Sequence, residues 1–283
     1  MEKSLYETLP LTKINDDLYR LRCHNPGVMT GSGTNTYLVD GEAGFAVIDP
    51  GPAEAEHINN ILMAVGGPGN ITKILLTHMH ADHSPAALPL AQLSKAPIYG
   101  MSPQDDPFQD QSCELDIIVE HDQIVDLGDV MIRCLHTPGH VANHVCYLLE
   151  ASGIVITGDH IMQGSTVVII PPYGNMKAYI ESLQLILDYP VQQLAPGHGE
   201  MITDPVAEIQ ALVRHRLGRE KKVVERLCEV APISLQDLTP LVYDDVYAAL
   251  HPVAELSLHA HLLKLVEDVK AICTNEQWFY LGE

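Results

Sequence analysis

The sequence predicts an α/β protein with a four-layer αββα sandwich, followed by a small C-terminal helical domain of winged-helix type. Three observations predict this fold. Residues 1–203 alternate short β-rich segments with amphipathic helices, the order strands, helix, strand, helix occurs in both halves of that region, and from residue 204 the pattern becomes mainly helical. We therefore divide the 283-residue chain into one domain of residues 1–203 and a second of residues 204–283.

The first half of the predicted sandwich has strands on either side of a helix and a second helix at its end. Segments rich in β-formers and bounded by turn residues predict the strands KINDDLYRLRCH, NTYLVD, GFAVIDP and ITKILLT. Apolar residues at helical spacing predict a helix in PAEAEHINNILMAVG. SPAALPLAQLSK predicts a short helix with Ser84 as its N-cap and Pro85 at its first position.

The second half repeats this plan. Its predicted strands are CELDIIVE, HDQIVDLG, DVMIRCLHT, HVCYLLEA and GIVITGD, before an amphipathic helix in NMKAYIESLQLILDY and a last strand in QQLAPGH. TVVIIPP is short and apolar, so it is also predicted to be a buried strand. Beyond residue 204 we expect a long helix to about Glu229, a turn at VAPIS, two helical stretches and the hairpin VKAICTNEQWFYLG.

The composition limits the class of protein. No apolar run approaches the ~18 residues that a membrane helix needs, and MEKSLYETLP lacks the apolar segment of a secretory signal, so we expect a cytoplasmic protein without membrane contacts. The six cysteines show no C-x-x-C spacing and are expected to be free core thiols. The net charge of −21, of which residues 207–283 carry −4 (8 Lys and Arg against 12 Asp and Glu), disfavours binding to nucleic acid.

Four clusters of metal-ligand residue types stand where a predicted strand ends. THMHADH directly follows the strand ITKILLT, and TPGH, TGDH and PGHG come later. Together they contribute five imidazoles and two carboxylates: His78, His80, Asp82, His83, His140, Asp159 and His198. Such a group is costly to bury without compensation, and ligands gather at the carboxyl ends of strands in α/β sheets. The sequence therefore predicts a site for two metal ions.

The order of these motifs, THMHADH, TPGH, GD and PGHG, resembles that of the metallo-β-lactamase-fold hydrolases over residues 12–203. The resemblance implies a first metal site and a second, with a bridging carboxylate between them. Its ligands would be His78, His80 and His140 for the first metal, Asp82, His83 and His198 for the second, and Asp159 for the bridge. TNTYLVD, STVVIIPPYGNMKAYIESL and HRLGREKK look more specifically like the branch of β-lactamase-like protein 2, an endoribonuclease, and its bacterial relatives.

A dinuclear centre of this kind implies a hydrolytic mechanism. Two divalent ions roughly 3.5–4 Å apart can share a hydroxide as the nucleophile, and they stabilise negative charge on the carbonyl or phosphoryl oxygen. We expect Asp82 to orient the hydroxide as well as to bind metal, and Asp159 to bridge, so both count as catalytic. Zinc suits these ligands best, although the carboxylates would also suit iron or manganese.

Residues that contact the substrate are harder to identify from the sequence. His160, beside the bridging Asp159, together with His144 and Tyr173, are candidates for the leaving-group acid. The basic run RHRLGREKKVVER includes Arg216 and Arg219. Such a run is typical of a solvated helix face paired with nearby acids, but it is also compatible with a basic rim for an anionic substrate.

The leading hypothesis is a hydrolase acting on a small ester, thioester or lactone, and the acidic body favours it. The alternative is a metal-dependent endoribonuclease acting on single-stranded RNA, favoured by the branch resemblance and the basic run. A DNA-binding regulator is disfavoured, because residues 207–283 are net acidic whereas DNA-reading domains are usually basic. The sequence leaves a homodimer open.

Overall fold

Two β-sheets form the centre of the protein. The computed structural model describes residues 10–102, 106–112 and 114–282. The first sheet contains seven strands, in spatial order β1 (Leu11–Lys13), β2 (Leu18–Arg22), β3 (Asn35–Gly41), β4 (Gly44–Ile48), β5 (Ile71–Leu75), β6 (Ile98–Gly100) and β7 (Ile117–Ile118). Strands β1 to β4 pair antiparallel, and β4 to β7 pair parallel.

The second sheet has five strands. They are β8 (Ile124–Asp126), β9 (Met131–His136), β10 (Val145–Leu149), β11 (Ile154–Gly158) and β12 (Gln193–Pro196), in the spatial order β12-β11-β10-β9-β8. Only β11 and β12 pair parallel. Tyr37, Ile48 and Leu75 of the first sheet share one buried cluster with Ile132 and Tyr147 of the second, so the inner faces of the sheets pack on each other.

Helices cover the outer face of each sheet. Helices α1 (Ala55–Ala64) and α2 (Ala87–Ser94) share a core with the first sheet. Helix α3 (Met176–Ile186) and the first half of α4 (Pro205–Val230) share a core with the second. The four layers are therefore helix, sheet, sheet and helix, which confirms the predicted sandwich.

The C-terminal part has a core of its own. The second half of α4 packs there with α5 (Leu235–Val242), α6 (His251–Glu267) and the hairpin of β13 (Ala271–Thr274) and β14 (Gln277–Tyr280). This arrangement confirms the predicted winged-helix type. Because α4 contributes side chains to the sandwich core and to this one, the helix belongs to both units, and the division at residue 204 stays a prediction.

Several local predictions are wrong, each for a physical reason. Helix α2 starts only at Ala87, because the Ser84 hydroxyl donates to Asp110 Oδ2 at 2.8 Å and does not cap the helix. KINDDLYRLRCH divides into two strands at a turn in which the amide of Ile14 donates to the carbonyl of Leu18. TVVIIPP joins neither sheet.

Three further predictions concern single properties. Among the described residues, no helix has both the length and the apolar character that crossing a membrane requires. Cys23, Cys134 and Cys146 are free and buried, as expected, but the free thiols Cys228 and Cys273 are exposed. Cys113 and residues 1–9, on which the prediction of a missing secretory signal depends, lie outside the described residues.

Candidate metal centre

The seven predicted ligands lie just beyond the carboxyl ends of strands from both sheets. The THMHADH motif begins two residues after β5, His140 lies four residues beyond β9, Asp159 directly follows β11, and His198 lies two residues beyond β12. Backbone contacts join these segments, since the amide of Gly197 donates to the carbonyl of Gly158 at 2.8 Å. The structure thus brings all seven side chains to one edge of the sandwich, in two clusters.

The first cluster consists of His78, His80 and His140, whose nearest ring nitrogens lie within 4.8 Å of one another. His80 Nδ1 is 3.0 Å from His78 Nε2 and 3.0 Å from His140 Nε2. Burial lowers the pKa of His78 well below its usual value and that of His80 to about 4. Both are therefore neutral at physiological pH, which is the form of imidazole that binds a metal.

The second cluster consists of Asp82, His83, Asp159 and His198. His198 Nε2 lies 3.1 Å from Asp82 Oδ2 and 3.2 Å from Asp159 Oδ1, and His83 Nε2 lies 3.4 and 3.3 Å from the same two oxygens. The other oxygen of Asp159, Oδ2, lies 3.9 Å from His140 Nε2 of the first cluster. Asp159 therefore stands between the two clusters.

The electrostatics of the second cluster indicate a place for a cation. Burial disfavours a charged His198, but the carboxylates of Asp159 and Asp82 outweigh burial and raise its pKa to about 9. The same carboxylates, with Asp49, raise the pKa of His83 well above its usual value, also against burial. Burial would raise the pKa of Asp82, yet the neighbouring imidazoles lower it strongly. Protons here compensate two buried carboxylates, as a divalent cation could.

The donor set fits divalent metal ions. His83 Nε2, His198 Nε2 and Asp159 Oδ1 are buried without a hydrogen-bond partner of good geometry, although buried polar atoms normally have one. Imidazole nitrogens and carboxylate oxygens in groups of three and four are common ligands of zinc, iron and manganese in proteins. The chain thus carries two His/Asp clusters typical of a dinuclear metal site.

The ring nitrogens that face away from the clusters are held by other groups. His140 Nδ1 lies 3.0 Å from the carbonyl oxygen of Val168, and His198 Nδ1 lies 3.3 Å from that of Gly33. His78 Nδ1 lies 3.0 Å from the hydroxyl of Thr77. Such contacts fix the tautomer and the ring orientation, and so direct the other nitrogen of each ring into the cluster.

Asp49 contacts the second cluster directly, and the sequence analysis did not single it out. Its Oδ2 lies 2.9 Å from His83 Nδ1, and its two oxygens accept from the amide and the hydroxyl of Thr77 at 2.7 and 2.6 Å. Asp49 directly follows β4 and has a left-handed φ of 49°. The stretch VIDPG carried the same signal as the predicted ligand motifs, because its carboxylate, Asp49, directly follows a buried strand.

The structure places His160 and Arg216 in the interior, so the substrate-binding role expected for them is not retained. His160 is fully buried, and burial lowers its pKa to about 3. Its ring lies 4.9 Å from that of the fully buried Tyr179 on α3. The third candidate acid, His144, is also fully buried and stacks on His78 with ring centroids 5.2 Å apart, so it supports a ring of the first cluster.

Arg219 and Tyr173 lie nearer the surface, in different places. Arg219 pairs with Asp245 at 2.7 Å and donates to the carbonyl of Val242, so it ties α4 to the chain after α5. The ring of Tyr173 lies 6.0 Å from that of the exposed Phe108, edge to face. Next to these aromatics, Gln109 forms a backbone bridge with His80, so the pair flanks the first cluster.

An apolar turn lies a few residues before a segment that contacts the second cluster. Val28 and Met29 lie between the bridged residues Gly27 and Gly31, and both side chains are exposed. The turn leads directly to Thr34, which forms a backbone bridge with His198. Exposed apolar side chains therefore lie close in sequence to segments that contact each cluster. Clustered exposure of this kind marks binding sites more often than chance.

Comparison with known proteins agrees with this architecture. Residues 29–198 match the family described as the metallo-β-lactamase superfamily, and residues 234–278 match the β-lactamase-associated winged helix domain. The chain is 30% identical over 272 residues to a β-lactamase-like protein 2 homolog of Caenorhabditis elegans, covering 94% of this chain and 89% of that one. It is 31% identical over 287 residues to an atrochrysone carboxyl ACP thioesterase of Aspergillus chevalieri, covering 95% and 89%.

Solved structures share the fold. A metallo-β-lactamase family protein of Thermus thermophilus superposes with a TM-score of 0.78 at 18% identity, covering 95% of this chain and all of that one. A structure solved in a di-iron-bound form gives a TM-score of 0.53 at 28% identity, covering 68% and 95%. The chain belongs to the metallo-β-lactamase superfamily, as a metal-dependent hydrolase with an added C-terminal winged helix.

Proposed function

We propose that this chain is a dinuclear metal-dependent hydrolase that cleaves a small ester, thioester or lactone. The observation that carries the proposal is the pair of clusters joined by Asp159, whose two oxygens lie toward different clusters. His78, His80 and His140 would hold one ion, and Asp82, His83 and His198 the other. Nitrogen-rich ligand sets favour zinc, and the carboxylate ligands would also suit iron or manganese.

Two bound cations would supply a nucleophile from water at neutral pH and stabilise negative charge on the substrate. The chain's own residues add orientation to that chemistry. Asp82 has the most exposed side chain of the second cluster, at 27% against 12% for Asp159 and less for both imidazoles. Its ionised carboxylate can accept a hydrogen bond from the attacking water and aim its lone pair at the substrate.

The surroundings of the clusters support an acyl substrate with an apolar part. Val28 and Met29 precede the Thr34 bridge to His198, and Phe108, in contact with Tyr173, precedes the Gln109 bridge to His80. Both groups offer exposed apolar surface. An acyl chain that packs on such surface gains binding free energy of about 25 cal/mol per Å² of apolar area removed from water.

The basic helix, which would have favoured RNA, is largely neutralised. Arg219 pairs with Asp245 and Lys222 with Asp244, two carboxylates that closely follow α5 in the chain. Arg226 pairs with Glu229 on α4 itself. Phosphate binding would have to displace these carboxylates, and the acidic body adds long-range repulsion. These ion pairs support the small-molecule substrate over a nucleic acid.

The similar Aspergillus protein is named as a thioesterase, which gives the thioester additional support within this class. The endoribonuclease remains the second candidate, and one observation favours it. The Phe108–Tyr173 pair at the edge of the first cluster could stack an unpaired base, as aromatic side chains do in proteins that bind single strands.

Turnover of two substrate classes by the same preparation tests the proposal. Zinc-loaded protein is given a panel of acyl thioesters, esters and lactones of increasing chain length and, separately, single-stranded RNA, each with and without a chelator. We expect chelator-sensitive cleavage of the acyl substrates and intact RNA. Chelator-sensitive RNA cleavage without acyl turnover would overturn the assignment in favour of the alternative.

A substitution in the apolar turn tests the acyl-binding surface separately. Met29→Ser should raise the KM for long acyl chains several-fold and leave short chains unchanged, because only long chains would reach the turn. Val253→Ser is the matched control, since Val253 is also exposed but belongs to α6. Equal effects of the two substitutions would contradict the proposed role of the turn.

A further inference from the structure

Arg216 is the one basic residue of the run that points into the protein. It is 3% exposed, and its guanidinium lies over the ring of Tyr179 on α3, 5.3 Å from the ring centroid. Within the described residues it forms no ion pair, so no carboxylate compensates its charge directly. A buried charge of this kind is costly unless it makes specific contacts.

The specific contact is with the chain segment that orients His140. Arg216 Nη2 donates to the carbonyl oxygen of Val167 at 2.5 Å. The next carbonyl along the chain, that of Val168, accepts from His140 Nδ1 at 3.0 Å. This segment belongs to neither sheet, so strand pairing does not fix the direction of its carbonyls. The Arg216 guanidinium holds the carbonyl of Val167, directly before the one that His140 contacts.

A second contact leads from Arg216 to the same histidine. Tyr179, under the guanidinium, packs so closely on Gly139 that a Cβ at Gly139 would lie 2.4 Å from Tyr179 Cα. The carbonyl of Gly139 also accepts from the amide of Asn175, the N-cap of α3, at 2.8 Å. Gly139 directly precedes His140. Arg216 therefore braces both sides of the His140 loop, through Val167 and through α3.

We infer that Arg216, on helix α4, is a positioning residue for the proposed metal centre. It holds His140 so that the ring points at the first cluster. The inference rests on the proposed function, because it requires that His140 binds metal. It gives the first half of α4, the helix that both units share, a defined role in completing the first site, and it predicts a defect confined to that site. His83 and His198, at the second site, are held by Asp49 and Gly33 and not by Arg216.

Metal affinity of the full-length protein, measured by competition with a chromogenic zinc chelator, tests the inference. The wild type should bind two ions. Arg216→Met removes the donor but keeps a long apolar side chain, and it should weaken one of the two sites by about tenfold or more, since groups that orient ligands typically contribute 10–100-fold. Arg219→Gln is the matched control on the same helix, and it should leave both affinities unchanged.

The weakened site is identified with a double variant. If Arg216 acts through His140, Arg216→Met should add no further loss of affinity in a His140→Ala background, because the two changes affect one interaction. Arg216→Lys keeps a donor without the planar fork, and it should give a smaller loss confined to the same site. The visible spectrum of the cobalt-substituted protein gives an independent reading of the geometry at that site.

The possible failures are distinguishable. Unchanged affinity of both sites in Arg216→Met, even with a lower Tm, would make Arg216 merely structural and overturn the inference while the proposed function stands. Weakening of both sites alike would overturn it as well. Should Arg216→Met not fold, Arg216→Lys decides by the same criteria. A wild type that binds no metal would instead overturn the proposed function.

Discussion

Asp49→Asn is the substitution that most sharply tests how the second cluster is held. The Asp49 carboxylate accepts three hydrogen bonds, from His83 Nδ1 at 2.9 Å and from the amide and hydroxyl of Thr77 at 2.7 and 2.6 Å. Because this carboxylate can only accept, His83 keeps a proton on Nδ1 and turns Nε2 toward Asp82 and Asp159. An asparagine amide of the same shape presents an NH₂ group to Nδ1. The neutral imidazole then favours the other tautomer, with its proton on the nitrogen that faces the cluster.

Two magnitudes follow from this change. Metal affinity at the second cluster should fall by about 10–100-fold, or about 1.4–2.7 kcal/mol, as for other groups that orient a ligand. The metal-free protein should lose about 3 kcal/mol of unfolding free energy, because hydrogen bonds to a charged partner contribute about 1.5–3 kcal/mol each and the amide retains some of them. The fold should survive, since the volume is conserved.

The assay is zinc competition combined with nitrogen-15 NMR of the histidine rings in the metal-loaded protein. The wild type should show His83 protonated at Nδ1, and the variant should show a changed tautomer or an unligated ring. Asp129→Asn is the control, because Asp129 also accepts a backbone N–H, that of Glu42, but lies on the surface away from the clusters. An Asp49→Asn protein with wild-type affinity and an unchanged His83 tautomer would refute the reasoning.

Three more predictions test other parts of the site. Asp159→Ala should reduce turnover by at least about 10²–10³-fold, to the level of chelator-treated protein. Circular dichroism should show that the fold is retained. Full turnover of this variant would rule out a bridging role for Asp159. His57 is buried and its pKa is lowered to about 4 by burial, so the neutral form is favoured in the folded state. The unfolding free energy is therefore unaffected by this group above the unfolded pKa of about 6.5. It falls as pH is lowered toward 4, by about 2 kcal/mol at pH 5. Denaturant titrations at pH 7.5 and 5 should show a smaller pH dependence in His57→Asn, and an identical one would contradict the assignment. Gly139→Ala should destabilise the protein by about 1–3 kcal/mol, because the new Cβ meets the Tyr179 backbone. Gly69→Ala is the control, since its Cβ meets nothing within 4 Å. Equal melting temperatures of the two variants would show that α3 can shift to accommodate the added Cβ.

The sequence predicted the two side-chain clusters because their signal is local. His78, His80, Asp82 and His83 occur within six residues after a buried strand, and few structural reasons account for such a group. The layer architecture was also predictable, because apolar periodicity marks each strand and helix. Asp49 carried the same strand-end signal, but as a single residue it did not stand out from ordinary turn aspartates.

The misplaced residues show where local patterns are ambiguous. Arg216 was grouped with its charged neighbours, yet it lies on the same stripe of α4 as the buried residues Leu212 and Val223. Its spacing from them, four and seven residues, indicates the buried face. His160 follows Asp159 in the chain, and Gly158 before them has a positive φ. After this turn the Asp159 side chain points to the clusters, whereas the His160 ring points to Tyr179. Which one faces the site depends on that turn, which the residue pattern alone does not specify.

The most direct test of the central claim is anomalous diffraction from crystals of the zinc-loaded protein at the zinc absorption edge. The account predicts two peaks, one among the ring nitrogens of His78, His80 and His140 and one between Asp82, His83 and His198, with a carboxylate oxygen of Asp159 toward each. A single peak, or peaks elsewhere on the protein, would contradict a dinuclear centre built from these seven side chains.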